Sequence, residues 1–297
     1  MNLTILIVMA VLTGVLGSPY VTDTDVTPGS DSAGMSAHPN SVPEAADGTE
    51  VFHEEGVVEE EGVEEDVMAT GELNPSHYPA QRAANVVKHY LNTRYGSPYR
   101  WVGLHKVHSA NAEEVAESGR KYHLEISVQE MTGNTTEKCS AEVLFPALEN
   151  QRSPQVQASC EALLTANTTA QEEALYQQYR RNHTLLSGHN LPDSYGHIDP
   201  DMKPLWHLGG VASSFVMLKE STENTLYNMA QVANVTQLET ENDQLRFNYH
   251  VLLHDMVSQE IIHWKLLVTW SPAEGVKVLQ MEELPKCEHC EVPPKPN

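Results

Sequence analysis

Histidine and cysteine are the residue types best able to do chemistry in this chain of 297 residues, which holds fifteen of the first and four of the second. His105 and His108, and His250 and His254, lie close enough in sequence to suggest a metal site or an acid–base pair. On a strand, however, a spacing of four projects two side chains to one face about 13 Å apart, too far to share a metal. Cys287-Glu288-His289-Cys290 is a Cys-x-x-Cys beside a histidine. Zinc needs further ligands at defined spacing and thioredoxin-type redox needs a βαβ context, and neither is visible. A local disulfide or an intermolecular bridge remains for that pair. His-Glu-x-x-His, Gly-x-Ser-x-Gly, a phosphate-cradling glycine loop and a dinucleotide fingerprint are all missing from the sequence. The histidines therefore read as strand-surface or half-buried residues, and Trp101, Trp206, Trp264 and Trp270, set in apolar runs, read as core. No metal and no cofactor is expected. The chain reads as a non-enzymatic protein.

The elements that position these residues alternate in period. Pro79 suits a helix's first turn, and Ala83, Val87, Tyr90 and Leu91, flanked by Ala84 and Val86, give a helical stripe that Gly96-Ser97-Pro98 ends. Period two then predicts strands at 101–107, 121–128, 139–145 and 155–160. After a polar connector, Thr169 and Glu172 stand at capping-box spacing ahead of a helix bearing Leu175, Tyr176 and Tyr179, with Gly188, Asn190 and Pro192 beyond it. Asp199-Pro200 then predicts the start of a third helix, apolar nearly all round, with Gly209, Gly210, Ser213 and Ser214 keeping one side thin. Such a helix must pack both on its own sheet and on the other unit. Four strands follow again, at 226–235, 245–253, 260–270 and 276–281. Tyr122-His123-Leu124 answers Tyr249-His250-Val251, and Val143-Leu144-Phe145-Pro146 answers Val268-Thr269-Trp270, so the chain is a two-copy repeat. The fold class is α+β, each helix covering a four-stranded antiparallel sheet. Cys139 and Cys160 fall in the third and fourth strands of the first copy, where an antiparallel hairpin brings them together as a disulfide.

Charge and termini bound the compartment. Residues 1–17 form a short apolar run with small residues before Ser18, as a cleaved signal peptide does. Residues 18–73 hold fifteen acids and neither Lys nor Arg, much of the net charge of −23. Such a segment cannot offset its ordering entropy and reads as a disordered acidic arm. As a function it suggests capture of calcium, a mineral face or a basic matrix protein; as mere solvated charge it is a solubilising leader. The acidic surface disfavours nucleic acid and anionic membranes. Four Asn-x-Ser/Thr acceptors, at Asn134, Asn167, Asn182 and Asn234, agree with a secreted, extracellular glycoprotein with no membrane span once the leader is removed.

The run Leu252-Leu253-His254-Asp255-Met256-Val257-Ser258-Gln259-Glu260-Ile261-Ile262 resembles a signature loop of the latexin, tazarotene-induced retinoic acid receptor responder and ovocalyxin family. Tyr78-Pro79-Ala80, Lys121-Tyr122-His123-Leu124, Cys139-Ser140-Ala141-Glu142-Val143-Leu144 and Ile198-Asp199-Pro200 support the resemblance, which covers residues 74–286. The leader, the Cys139/Cys160 pair and the run 196–200 favour its secreted branch, with cytosolic latexin the more distant relative. The resemblance implies two tandem cystatin-like units joined by a connecting helix. Boundaries follow: signal peptide 1–17, acidic arm 18–73, unit 1 at 74–165, connecting segment 166–196, unit 2 at 197–286, and a Cys-x-x-Cys tail 287–297. It also implies inhibition of zinc metallocarboxypeptidases of the A/B type, by a unit-2 hairpin at the rim of the enzyme's active-site funnel. The residues at that place are His254, Asp255, Met256, Val257, Ser258, Gln259 and Glu260. Gln259 and His254 would supply polar contacts there, and Met256 and Val257 apolar ones. Asp255 stands where latexin carries an asparagine, and is expected to add a negative charge at the contact. Read without the resemblance, the same residues simply close a hairpin. The alternative function is a matrix or biomineral protein acting through its acidic arm. Cystatin-type blocking of papain-like proteases would need a Gln-x-Val-x-Gly hairpin, and residues 129–133 read Gln-Glu-Met-Thr-Gly instead.

Overall fold

The computed structural model describes residues 70–285, apart from 117, 132–134, 148–152, 161–166 and 183. The leader, nearly all of the acidic arm, Asn134 and the Cys287/Cys290 tail lie outside the described residues. The first half runs β1 (Gly71–Leu73), α1 (Tyr78–Tyr95), β2 (Val102–Val115), β3 (Gly119–Glu130), β4 (Thr136–Pro146) and β5 (Gln155–Cys160). Helix α2 (Thr169–Arg181) leads to β6 (Ser187–Leu191), a 3₁₀ turn (Pro200–Met202), α3 (Lys203–Glu220), β7 (Tyr227–Glu241), β8 (Gln244–Asp255), β9 (Glu260–Ser271) and β10 (Gly275–Leu284). Two separate antiparallel sheets result, ordered β1-β2-β3-β4-β5 and β10-β9-β8-β7-β6.

The four strands expected after each main helix are present, and each sheet gains a fifth from the segment before its helix. β1 pairs Gly71 with Ala112, and β6 pairs Ser187 with Thr236, so both add to the first long strand of their sheet. β1 lies in the stretch assigned to the acidic arm and β6 in the connecting segment. Each sends only one buried side chain inward, Leu73 and Leu191, too few to read as a period. β2 also outruns its expected end, because Ala110 and Ala112 alternate into the core without the bulk that marks a strand.

The repeat is marked by paired irregularities. β2 slips register against β3 between Leu104 and Lys106 and again between Val107 and Ser109. β7 does so against β8 between Met229 and Gln231, then between Val232 and Asn234. Each bulge inserts a residue and bends its strand. In this register Tyr122 answers Phe247, and Leu124 answers Tyr249. The Tyr122/Tyr249 match is therefore two residues out, an error that period two conceals because both alignments bury the same face. The match of Val143 to Val268 holds, since these residues pair with Tyr122 and Phe247 respectively. Cys139 opposes Cys160 with Cα atoms 4.5 Å apart, and the disulfide is formed.

Helix α3 packs on both units, as its composition requires. Its two adjacent glycines serve different neighbours. A Cβ on Gly209 would stand 2.6 Å from Val232 of its own sheet, and one on Gly210 would stand 2.6 Å from the Trp101 ring of unit 1. Trp101 also meets Trp206 edge to face, with centroids 4.8 Å apart. The capping details move slightly. Asp199 caps the 3₁₀ turn through the Asp201 N–H at 2.9 Å, and α3 begins after it. Thr168, not Thr169, is the cap position of α2 and donates to Glu172, which also accepts from Ser97.

Candidate functional site

The residues singled out for contact form the β8–β9 hairpin. β8 carries alternating buried residues out to Asp255, and β9 returns from Glu260, leaving 256–259 as the turn. The tip is exposed and partly apolar: Met256 is 46% exposed, Val257 42% and the neighbouring Ile261 43%. Ser258, Gln259 and Glu260 are exposed with them. Exposed apolar side chains on a braced turn suit contact with a partner, for little further ordering is needed on docking.

Asp255 is what braces it. Its side chain is turned inward and the residue is only 5% exposed. One carboxylate oxygen accepts from the backbone N–H of Leu226 at 3.0 Å and of Val257 at 3.1 Å. The other accepts from the Ser258 hydroxyl at 2.9 Å. Met256 N–H in turn donates to the Leu226 carbonyl at 2.9 Å. Desolvation pushes the carboxyl pKa up, but the donors from Leu226, Val257 and Ser258 outweigh it and hold the group below its ordinary value. The expectation that Asp255 presents its charge to a partner is therefore corrected: the charge is consumed within the loop.

Gln259 is also part of the scaffold. Its φ is 60°, in the left-handed region that a non-glycine residue seldom enters, and its side-chain N–H donates to the Met256 carbonyl at 2.6 Å. Its amide oxygen is left to accept. His254 is half-buried on the outer face of β8, and His250, four residues earlier on that face, pairs across the sheet with His263 at 3.1 Å. The histidine pair that the sheet forms is thus a diagonal one, 250 with 263, rather than the sequence neighbours 250 and 254. Among the described residues no group of three or more His, Cys, Asp or Glu side chains is placed to hold a metal ion.

The hairpin is tied to unit 1 through the segment that precedes β7. Glu223 there accepts from the Tyr122 hydroxyl at 2.8 Å and lies 3.9 Å from the Arg120 guanidinium, while Arg82 donates to its carbonyl at 3.0 Å. Three residues later, Leu226 grips Asp255. Sequence reading found the hairpin but not this brace. Its one legible signal was Asp255-Met-Val-Ser258, the pattern of an acidic side chain folding back on its own turn.

Comparison with known proteins places these residues in context. The family model described as latexin matches residues 73–288. Mouse latexin is 37% identical over 216 residues, 72% of this chain and 97% of that protein. Human retinoic acid receptor responder protein 1 is 34% identical over 67% of this chain and 70% of its own length. Chicken ovocalyxin-32 is 31% identical over 69% and 74% respectively. Identity is thus higher to latexin than to the other two, against the expectation that latexin is the more distant.

Proposed function

This chain belongs to the latexin family, and on that premise we propose that it is a secreted protease inhibitor acting on zinc metallocarboxypeptidases of the A/B type. The observation that carries the reading is the β8–β9 hairpin, an exposed tip whose backbone is pinned from below by a buried carboxylate. Met256, Val257 and Ile261 supply apolar contact, and the Gln259 carbonyl oxygen and His254 supply polar contact at the rim of the enzyme's active-site funnel. No bond is made or broken by the inhibitor. Its hold on the enzyme comes from shape and from order already present before docking. Three acceptor asparagines, Asn167, Asn182 and Asn234, are exposed, which suits a glycosylated extracellular protein.

The test is kinetic. Purified chain is expected to slow peptide hydrolysis by a carboxypeptidase of the A type, and His254→Ala combined with Gln259→Ala to abolish the effect. Full enzyme activity in micromolar excess of the unaltered chain would defeat the proposal. A second reading draws on the fifteen acids of residues 18–73 and on the similarity to ovocalyxin-32: a matrix or mineral-associated protein working through that arm. Here deletion of 18–73 is expected to remove adsorption to calcium carbonate, and equal adsorption by the shortened chain counts against it.

A further inference from the structure

Beside the hairpin, between α1 and β2 of unit 1 and α3 and β7 of unit 2, lies a cleft of about 460 Å³. That is within the size range of small-molecule sites. Its walls are unusual in composition. Four of the ten methionines, Met131, Met217, Met229 and Met256, line it. Met131 and Met256 are the first tip residues of the β3–β4 and β8–β9 hairpins, and at 51% and 46% exposed they form the cleft's rim. Unbranched thioethers adapt their shape to an apolar guest better than branched side chains do.

The cleft has polar lining as well. Lys88 lines it, and its ammonium donates to the Asn228 side-chain oxygen at 2.8 Å. Among the described residues no carboxylate forms an ion pair with Lys88. His89 lines the same cleft and is fully buried. Its Nε2 lies 3.1 Å from the Tyr227 carbonyl oxygen and 3.2 Å from the Asn85 side-chain nitrogen, while its Nδ1 has no hydrogen-bond partner among the described residues. A buried polar atom without a partner is uncommon enough to call for an explanation. The protein thus surrounds a largely apolar hollow, sets in its wall a lysine with no counter-ion among the described residues, and leaves one nitrogen of the adjoining imidazole unpaired there.

We propose that this cleft is a binding site for a small amphiphilic carboxylate, its anionic head on Lys88 and its hydrocarbon tail among the four methionines. A carboxylate supplies the counter-charge that Lys88 lacks, and a charge-assisted hydrogen bond in a sheltered site is worth more than one in water. The tail replaces water against the thioethers. An amine or an alcohol with the same tail fills the hollow but not the charge. Lys88 and His89 are the only titratable groups among the described residues that line the cleft. Burial holds the Lys88 pKa down to about 7. Binding an anion must restore its proton, so affinity for a carboxylate falls as pH rises above that value.

The site does not depend on the inhibitor reading, and the experiment uses the full secreted chain without any protease. The chain, labelled with ¹³C in its methionine methyl groups, is titrated with sodium octanoate, and separately with 1-octanol and octylamine. Octanoate is expected to shift the Met131, Met217, Met229 and Met256 methyl signals saturably, with affinity at least about tenfold weaker at about pH 8.5 than at about pH 6.5. Octanol is expected to bind weakly with no pH dependence, and Lys88→Met to bind octanoate no better than octanol. Absence of a saturable shift up to the solubility limit overturns the proposal, as does equal affinity for octanoate and octanol. Should Lys88→Met fail to fold, the pH profile of the unaltered chain decides, and a flat profile overturns the proposal.

Discussion

Replacing Asp255 by alanine tests the brace beneath the hairpin. The change removes the acceptor for Leu226 N–H, Val257 N–H and the Ser258 hydroxyl at once. Hydrogen bonds to a charged group are worth about 1.5–3 kcal/mol each when the abandoned donor stays buried, and less when water can take over. Leu226 is half-buried and the Val257 and Ser258 donors sit at the exposed turn, so the expected loss is about 2–4 kcal/mol. In a domain of this size that lowers the melting temperature by roughly 5–15 °C. Function is expected to suffer separately. Freeing the backbone of two tip residues adds roughly 1–2 kcal/mol per residue to the cost of docking, which weakens inhibition about a hundredfold. Urea unfolding and thermal melts report the first effect, and the inhibition constant for a carboxypeptidase reports the second. Asp255→Asn keeps an acceptor oxygen and is expected to lose about a third as much of each. An alanine variant that unfolds at the same urea concentration as the unaltered chain refutes the brace, whatever the target enzyme turns out to be.

Four other outcomes follow from the geometry. Gly210→Ala sets a Cβ against the Trp101 ring at 2.6 Å, and is expected to cost about 1–3 kcal/mol by overpacking, read from the urea midpoint. Replacing Cys139 and Cys160 together by serine opens a link between residues 21 apart in sequence, which is expected to cost about 3 kcal/mol on a chain-entropy account and to be matched by a reductant acting on the native protein. Val257→Asp, at an exposed position, is expected to leave the melting curve unchanged while abolishing inhibition; retained inhibition removes Val257 from the contact. Acid should destabilise the fold through its histidines. Burial lowers the folded-state pKa of His89, His207 and His250, so above about pH 6.5 their contribution is fully present, and it is lost as pH falls toward the folded values. The unfolded chain binds the extra protons in that window, so stability falls with falling pH, at a slope of at most about 1.4 kcal/mol per pH unit for a fully shifted group such as His89 and less for His207 and His250. A stability curve flat from neutrality to about pH 5 contradicts that sign.

Much of the scaffold was legible because its signals are strong and local. A change of period from helix to strand, twice in the same order, gave two sheets. Antiparallel neighbours gave the Cys139–Cys160 link, and a helix apolar on every side gave the packing of α3 on both units. What escaped was short or long-range. β1 and β6 each bury too few residues to carry a period. The Tyr122/Tyr249 alignment slipped by two because the sheet repeats every two residues. The hairpin was placed by its resemblance to a family loop, but the inward turn of Asp255 depends on Leu226, nearly thirty residues away, and no local pattern reports that partner. The cleft is the extreme case. Lys88 and His89 read as ordinary residues of α1 until Met229, Met256 and Asn228 from the other unit close over them.

The path from Arg82, Arg120 and Tyr122 through Glu223 to Leu226 and on to Asp255 has a consequence for how the duplicated chain is partitioned. The copy that bears no proposed protease contact holds the foundations of the one that does. Severed from residues 70–165, the second copy would keep its sheet but lose the mooring of the strand that steadies its tip. Changes in the first copy, however distant they look along the chain, would then be felt where the partner is met.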